Sequence, residues 1–391
     1  MNLANRLNDI QEYYFSKKLR EIDSLNTRGK NVINLGIGSP DLPPHISVIE
    51  TLAEESAKPT QHSYQNYKGS PVLRNAMADW YANWYDVRLD AEAEILPLIG
   101  SKEGIMHICM TFLQEGDSAL IPNPGYPTYA AAVKLAGAIP VSYDLLEENN
   151  WMPDLEVLGK LVKLHKCKLL FVNYPHMPTG KLPDIGLFEK LVVFAKQQGL
   201  LIVHDNPYSF ILNDKPQSIL SVPGAIDVAM ELNSLSKSHN MAGWRVGMLV
   251  GSSTNINSVL RFKSNMDSGM FLPLQLAAAK ALQLGDNWYH SLNVIYHQRQ
   301  AVAFELLTLL DCTFEQKQAG LFVWGKVKNE ISTNNEMGRG GNLSDTILYQ
   351  ANVFITPGGI FGTNGKDYIR VSLCSPAERL KDAINRIKDN L

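Results

Sequence analysis

The chain has 391 residues, of which 45% are hydrophobic and 19% are charged, so it is long enough for two domains and can bury a sizeable core. Its net charge of -3 at pH 7 lacks the basic excess needed to bind a nucleic acid backbone. Charged residues interrupt every apolar run before membrane-spanning length, and the N-terminus lacks the apolar segment and cleavage site of a signal peptide. We therefore expect a cytoplasmic protein that contacts neither membrane nor nucleic acid.

The middle of the chain alternates between two patterns. Between about residues 70 and 285, short apolar runs bounded by turn residues alternate with longer helical patterns, which predicts an α/β fold with a largely parallel sheet. Several runs are too uniformly apolar for a solvent-facing strand, so we expect helices on both faces of the sheet. The predicted strands are 95–99, 119–122, 169–173, 200–204, 227–232 and 246–250.

One helix between these strands is well marked. Asp184 is placed to cap its beginning, the apolar residues Leu187, Leu191 and Phe194 recur at helical spacing, and Gly199 can close its end. The pattern predicts a helix that packs against the sheet.

From about residue 287 the pattern changes to a long helix followed by alternating strands at 320–327 and 368–373. The polar stretch 329–342 between these strands predicts a mobile loop. The sequence Ser-Pro-Ala-Glu at 375–378 predicts a capping box with proline at the first helical position. We expect a large domain formed by residues 45–286, and a smaller α+β domain formed by residues 1–44 together with 287–391.

The cysteines show no pattern of a shared function. Cys109, Cys167, Cys312 and Cys374 have neither CxxC nor CxxH spacing. We interpret them as reduced thiols of the core and expect no bound metal.

The segment Gly-Ser-Lys-Glu-Gly at 100–104 lies between a predicted strand and a predicted helix. Its backbone N–H groups and the Ser101 hydroxyl would lie at the positive end of that helix, where a phosphate binds. Arg245 can add a bidentate contact to the same phosphate. Neither GxxxxGK[ST] nor GxGxxG occurs in the chain, which counts against a P-loop or a dinucleotide site.

Two charged residues follow predicted strands. Asp205 lies at the carboxyl end of strand 200–204, where α/β folds build ligand sites and where an aspartate can pair with a pyridinium nitrogen. Lys237 lies among small and hydroxyl residues after another strand, and burial there would make its amine a nucleophile toward a carbonyl. Taken singly, the aspartate fits an ordinary turn as well, and the lysine fits a surface loop better.

Eight segments, spread nearly from one end of the chain to the other, occur in the same order in a known family. The segments are LGIGSPDLPPH (35–45), YQNYKG (64–69) with LR (73–74), GSKEG (100–104), PNPGYPTY (122–129), NYPHMPTG (173–180), HDNPYSF (204–210), SLSKSHNMAGWRVG (234–247) and IRVSLC (369–374). In these segments the chain resembles the class I and II aminotransferases, which are pyridoxal-phosphate enzymes of fold type I. The resemblance implies a large domain around a mostly parallel seven-stranded sheet covered by helices, plus a smaller α+β domain.

The resemblance implies roles around the cofactor, pyridoxal 5′-phosphate. Lys237 would form a Schiff base with it and, once displaced by the substrate, would move the proton between substrate and cofactor. Asp205 would keep the pyridine nitrogen protonated, so that the ring accepts electrons from the substrate. Tyr208 would donate to the phenolic oxygen, and Tyr126 would lie against the face of the ring.

The same resemblance assigns the phosphate group of the cofactor. It would be held by Ser234, Arg245 and the turn at Ser101 and Lys102. Tyr64 would reach the phosphate bound in the neighbouring subunit. This implies a homodimer with shared active sites.

Arg370 matches the arginine that binds the α-carboxylate of the substrate, a role suited to its planar fork. Gly38 matches a position where the chain passes close over the substrate and a side chain would collide. The chain departs from the usual motif NYPNNPTG, because His176 and Met177 replace the paired asparagines. A thioether cannot donate to the phenolic oxygen, which leaves His176 or Asn173 as alternative donors.

The implied reaction is a ping-pong transfer of an amino group from an L-amino acid to a 2-oxo acid. The segment 263–271 and the GSKEG turn are most similar to the branch containing LL-diaminopimelate aminotransferase, which indicates a long or dicarboxylic amino donor. A C–S lyase or an enzyme similar to ACC synthase is a second hypothesis, since elimination uses the same cofactor chemistry. A non-catalytic aminotransferase-like sensor is a third, although the match begins too early for the N-terminal DNA-binding domain of such proteins.

Overall fold

The computed structural model describes residues 3–184, 186–328 and 336–391. Within these ranges the α-helices are α1 (Tyr14–Thr27), α2 (Ile46–Ser56), α3 (Pro71–Tyr85), α4 (Ser101–Phe112), α5 (Thr128–Leu135), α6 (Leu155–His165), α7 (Leu187–Gln198), α8 (Leu235–Ser238), α9 (Ser253–Lys263), α10 (Leu272–Leu282), α11 (Asp286–Leu309), α12 (Gly338–Ala351) and α13 (Ala377–Asn390). The strands are β1 (Ile33–Asn34), β2 (Ile95–Leu98), β3 (Ser118–Asn123), β4 (Ile139–Asp144), β5 (Cys167–Val172), β6 (Leu201–Asp205), β7 (Ala229–Ser234), β8 (Gly247–Gly251), β9 (Cys312–Thr313), β10 (Phe322–Val327), β11 (Val353–Phe354), β12 (Thr356–Pro357) and β13 (Tyr368–Ser372).

A seven-stranded sheet forms the centre of the larger part of the molecule. Its strand order is β2-β8-β7-β6-β5-β3-β4, and β3 to β7 pair in parallel, whereas β8 is antiparallel to both of its neighbours. Hydrophobic clusters cover both faces of this sheet, so strands such as β3, β7 and β8 are buried along their whole length. The predicted α/β fold with a mostly parallel seven-stranded sheet is therefore confirmed.

The six predicted strands are all present, with ends that differ by one or two residues. Strand β4 was not predicted, because it lies at the edge of the sheet and alternates exposed with buried residues. Such alternation produces no continuous apolar run.

The predicted beginnings of two helices are wrong. Helix α7 has Gly186 at its N-cap, and Asp184 instead accepts a hydrogen bond through its backbone carbonyl from the N–H of Leu187. Gly199 closes this helix in the left-handed conformation, as predicted. Helix α13 begins one residue later than predicted, because Pro376 has a non-helical ψ of 149° and no side chain caps the helix.

A four-stranded antiparallel sheet, in the order β12-β13-β10-β9, lies in the C-terminal part of the chain. Strand β1 pairs in parallel with β11 and so joins the N-terminal segment to this part. Part of the predicted loop 329–342 is wrong, because α12 begins at Gly338, while residues 329–335 lie outside the described ranges. A side chain at Gly340 would overlap the carbonyl of Tyr368, so glycine permits this helix to pack close to β13.

All four cysteines are free and buried, which agrees with the predicted core thiols. Among the described residues, no helix has both the length and the apolar character needed to span a membrane. The same residues contain no cluster of side chains suited to hold a metal ion.

Candidate active site

A cavity of about 450 Å³ lies where β6 and β7 end, between the seven-stranded sheet and the C-terminal strands β10 and β13. The beginning of α1 covers it. Eleven of the twelve predicted site residues line this cavity: Gly38, Ser101, Lys102, Tyr126, Asn173, Asp205, Tyr208, Ser234, Lys237, Arg245 and Arg370. The twelfth, Tyr64, is 92% exposed and lies outside the cavity of its own chain.

Lys237 projects into the cavity from the short helix α8, which follows β7 directly. The hydroxyl of Ser234 caps this helix by accepting from the N–H of Ser236 at 3.1 Å. The Lys237 Nζ donates to the carbonyl of Gly38 at 2.6 Å. Burial lowers the pKa of Lys237, and the positive charge of Arg370 acts in the same direction. A larger fraction of the amine is therefore neutral and nucleophilic than in a surface lysine.

Asp205 is the last residue of β6, and only one of its two carboxylate oxygens has a hydrogen-bond partner among the described residues. Its Oδ2 accepts from the hydroxyl of Tyr129 at 2.7 Å, whereas its buried Oδ1 has no hydrogen-bond partner among the described residues. Burial raises the pKa of Asp205 to about 6, against the opposing effect of the Tyr129 hydrogen bond. An unpartnered buried acceptor is costly, so this oxygen is suited to receive an N–H group from a bound molecule.

A group of hydroxyl and positively charged residues forms one end of the cavity. Gly100, with φ of +84°, turns the chain so that α4 begins with Ser101 beside Arg245. The Arg245 Nη1 donates to Ser236 Oγ at 3.3 Å and to the carbonyl of Ala242 at 3.0 Å. A helix beginning and a guanidinium group at one place favour a phosphate dianion.

Arg370 lies on β13 at another wall of the cavity. Its Nη2 donates to the carbonyl of Gly36 at 2.8 Å, its Nη1 to the Met177 sulfur at 3.3 Å, and its Nε has no partner among the described residues. Burial lowers the pKa of Arg370 to about 10, so the side chain stays charged at neutral pH. Three aromatic rings surround the guanidinium: Phe15, Phe322 and Phe361. A buried cation without a carboxylate partner among these contacts is suited to bind the carboxylate of a substrate.

Three further predicted residues have distinct surroundings. Tyr208 packs on Gly320, and burial raises the pKa of its hydroxyl, which therefore stays protonated and can donate. A side chain at Gly38 would overlap the ring of Phe322, so this position must be glycine for the chain to pass there. Asn173 donates to the carbonyl of Asp205 at 2.6 Å and accepts from the N–H of Met177 at 2.8 Å.

These contacts bear on the departure at positions 176 and 177. Met177 lines the cavity, whereas His176 is buried outside it and has its Nδ1 2.8 Å from the Thr179 hydroxyl. Burial lowers the pKa of His176 to about 3, so this residue is neutral at physiological pH. Of the two alternative donors considered, only Asn173 lines the cavity, and its amide already bonds to the backbone.

The prediction missed several residues of the cavity wall. Tyr126 lies just before α5, and the N–H of Tyr129 in its first turn donates to the Tyr126 carbonyl at 3.1 Å. Both tyrosines belong to the segment 122–129, which was the usable signal for the second one. The N-terminal residues carried no such signal, because α1 reaches Arg370 only through tertiary packing. The missed residues on the wall are Tyr13, Phe15, Ser16, Leu19, Ile37, Tyr129, Pro207, Ser236, Ala242, Phe322 and Phe361.

The chain is similar to known proteins over nearly its whole length. The family model for aminotransferase class I and II matches residues 30–387. LL-diaminopimelate aminotransferase of Dehalococcoides mccartyi is 38% identical over 389 residues, which cover 99% of this chain and 98% of that protein. The enzyme of the same name from Aquifex aeolicus is 37% identical over 388 residues, covering 99% of this chain and 98% of that protein.

Solved structures show the same relationship. Substrate-bound BacF of Bacillus subtilis superposes with a TM-score of 0.94 at 34% identity, over 100% of this chain and 98% of that one. An aspartate aminotransferase of Thermus thermophilus, at 22% identity, shares the fold with a TM-score of 0.90 over the full length of both chains. The chain therefore belongs to the class I and II aminotransferases. It is a pyridoxal-phosphate-dependent aminotransferase, whose substrates are amino acids and 2-oxo acids.

The cavity fits this cofactor on three independent points. The Lys237 amine faces the cavity and can react with an aldehyde, the free Oδ1 of Asp205 can accept from a protonated ring nitrogen, and the region around Arg245 suits a phosphate. Pyridoxal phosphate carries all three of the groups that these residues suit: an aldehyde, a pyridine nitrogen and a phosphate.

Proposed function

We propose that Lys237, Asp205 and Arg370 are the three residues on which amino transfer by this enzyme depends. The observation that supports this most directly is the unpartnered Oδ1 of Asp205 in a cavity that Lys237 and Arg370 also line. The bound cofactor supplies the electron sink that makes the Cα–H bond of an amino acid acidic.

The residues of the chain would act in a defined order. Arg370 binds the α-carboxylate and so fixes the amino acid, with the Phe322 ring against the guanidinium excluding water. Lys237, whose amine faces the cavity, would take the proton from the substrate Cα and give it back during transfer. Asp205 would hold the proton on the ring nitrogen, and Tyr208 would donate to the phenolic oxygen.

We propose diaminopimelate as the first amino donor to test. Relatives named LL-diaminopimelate aminotransferase match over nearly the full chain, and the long or dicarboxylic donor inferred from segment 263–271 agrees with them. The cavity volume of about 450 Å³ leaves room for a donor with a long side chain beside the cofactor.

We also propose a homodimer in which Tyr64 contacts the cofactor phosphate of the neighbouring subunit, since this residue is exposed on its own chain. We also propose that the chain forms two domains, one of residues 45–286 and one of residues 1–44 with 287–391. The pairing of β1 with β11 supports this division, because it joins the N-terminal segment to the C-terminal part. The cytoplasmic location stays a prediction from the sequence.

The decisive experiment follows the half-reaction. Each amino acid is added to the enzyme without a 2-oxo acid, and the cofactor should change from its aldehyde to its amine form with one equivalent of oxo acid released. The lyase hypothesis predicts instead repeated release of ammonia and pyruvate, and the sensor hypothesis predicts binding without any product.

The Lys237→Ala variant tests the residue assignment in the same assay. We expect it to lose both the half-reaction and the visible absorbance of the lysine-linked cofactor. Lys237→Arg is the matched control, because it keeps the positive charge but forms no such link, and it should be equally inactive. Turnover in either variant would contradict the role of Lys237.

A further inference from the structure

A pair of buried ionisable side chains lies directly behind the proposed cofactor site. His204 precedes Asp205 on β6, so the two side chains point to opposite faces of the sheet. Glu231 lies opposite His204 on the neighbouring strand β7. Both His204 and Glu231 are 0% exposed, and none of the proposed catalytic steps uses either residue.

The hydrogen bonds of His204 fix its protonation state. Its Nε2 lies 3.0 Å from the carbonyl of Tyr174, which can only accept, so Nε2 carries a proton. Its Nδ1 lies 2.8 Å from Glu231 Oε2. One proton is shared along this second contact, and its position depends on whether Glu231 is a carboxylate.

Glu231 is surrounded by donors. Its Oε2 also accepts from the Ser218 hydroxyl at 2.8 Å and the Ile219 N–H at 3.1 Å, and its Oε1 accepts from the Tyr81 hydroxyl at 2.9 Å. The amide of Asn206 adds a longer contact to Oε1 at 3.4 Å. A carboxylic acid would have to donate from one of these crowded oxygens, whereas a carboxylate accepts all five contacts. The proton therefore belongs to Nδ1, and His204 carries protons on both ring nitrogens.

We infer that His204 is a positively charged positioning residue that, held by Glu231, keeps Asp205 ionised beneath the cofactor. This inference rests on the proposed role of Asp205. The positive member of the buried pair is the chain neighbour of Asp205, while the negative member is one strand further away. His204 is thus the member of the pair whose charge acts on Asp205, and it favours the carboxylate form of that residue.

The balance of effects on Asp205 shows why such help is needed. Burial raises the pKa of Asp205 to about 6, while the Tyr129 hydrogen bond and the charge of His204 lower it. The other titratable groups that face the pair are Tyr81 and Tyr85, and burial raises the pKa of both, so they stay neutral. Without the His204 charge, Asp205 would be protonated in a larger fraction of molecules near neutral pH and would hold the ring nitrogen less well.

The protonation state can be measured directly. We expect nitrogen NMR of histidine-labelled enzyme to show one residue with protons on both ring nitrogens in mildly alkaline solution, and this signal should disappear in His204→Gln. Detection of an unprotonated ring nitrogen for His204 would overturn the inference, and this measurement requires only the wild-type fold.

The effect on Asp205 is tested by the affinity of the apoenzyme for two ligands. One is pyridoxal phosphate, and the other is its deaza analogue, in which a C–H group replaces the ring nitrogen. A rise of about one unit in the pKa of Asp205 in His204→Gln should weaken binding of pyridoxal phosphate about twofold at pH 7 and about tenfold at pH 5, and should leave binding of the deaza analogue unaffected. An equal loss for both ligands would show that His204 acts only on the structure and would overturn the inference.

Two further variants complete the design. His239→Gln is the matched control, because His239 is also buried but its ring nitrogens lie beside the neutral hydroxyls of Ser238 and Tyr289, so it should affect both ligands alike. Asp205→Asn should discriminate between the ligands as His204→Gln does. If Asp205→Asn fails to discriminate, the proposed role of Asp205 is wrong, whereas discrimination by Asp205→Asn alone overturns the role of His204 only.

Discussion

The guanidinium of Arg370 donates from Nη1 to the sulfur of Met177 at 3.3 Å. The proposed carboxylate-binding residue thus contacts the one cavity residue at which the chain departs from the family motif. A thioether is a weak acceptor, so this contact leaves the Arg370 donor available to a substrate carboxylate.

Replacing Met177 with asparagine tests what this position does. The amide would donate to the phenolic oxygen of the cofactor, stabilise its negative charge and weaken its hold on the proton of the lysine–cofactor link. We expect Met177→Asn to lower the midpoint of the pH titration of the visible absorbance. Met177→Leu has no donor and should leave the midpoint unchanged. An unchanged midpoint in Met177→Asn would mean that residue 177 acts only through Arg370.

Asp205→Asn should stabilise the protein in the absence of cofactor. The pKa of Asp205 is raised from 3.8 to about 6 in the folded state, so its contribution to stability is present below pH 3.8 and is lost as the pH rises through about 6. At neutral pH the variant should therefore be more stable by about 1–3 kcal/mol in chemical denaturation. The advantage should vanish in acid, below the unfolded pKa.

Asp214→Asn, which changes an exposed aspartate, is the control for this experiment. It should alter the free energy of unfolding little at any pH. A destabilised Asp205→Asn protein at neutral pH would show that the Tyr129 hydrogen bond outweighs the cost of burying the charge.

Gly100→Ala should weaken cofactor binding through the phosphate site. A Cβ atom there would overlap the Arg245 guanidinium and push it from its position, whereas at Gly116 a Cβ meets nothing within 4 Å. Both glycines have positive φ, +84° and +87°, so both variants should lose about 1 kcal/mol or more of stability from backbone strain. Only Gly100→Ala should lose affinity for pyridoxal phosphate in an equilibrium titration. Equal affinities in the two variants would exclude Gly100 and Arg245 from the phosphate site.

Subunit mixing tests the proposed sharing of active sites. Lys237→Ala and Tyr64→Ala proteins, each inactive alone, should regain activity when their subunits exchange, because one site of the mixed dimer then has both residues intact. Lys237→Ala mixed with Asp205→Ala should stay inactive, since both residues belong to the same chain's cavity. Recovery in the control mixture, or none in the first with exchange verified, would refute a Tyr64 contribution from the neighbour.

The sequence predicted best the positions of residues that directly follow a buried strand. Apolar runs located the buried strands, and a residue just after such a run, such as Asp205, had to lie at the sheet edge that forms the cavity. Features that depend on distant packing were not predictable. The glycine-rich start of α12 has the composition of a loop. The reason for Gly340 is its close packing against the carbonyl of Tyr368, which is distant in sequence and so could not be predicted. Phe15 gave no local sign of lying within 5.6 Å of the Arg370 guanidinium.

The pairing of β1 with β11 has a consequence for synthesis on the ribosome. All seven strands of the large sheet lie between residues 95 and 251, so this sheet, with Lys237 and Asp205, can assemble early. The segment before Gly38 is translated first, but Ile33–Asn34 can pair with Val353–Phe354 only when those residues emerge, shortly before Arg370. Lys237, Asp205 and Arg245, the residues proposed to hold the cofactor, are therefore translated well before Arg370, the residue proposed to hold the substrate carboxylate.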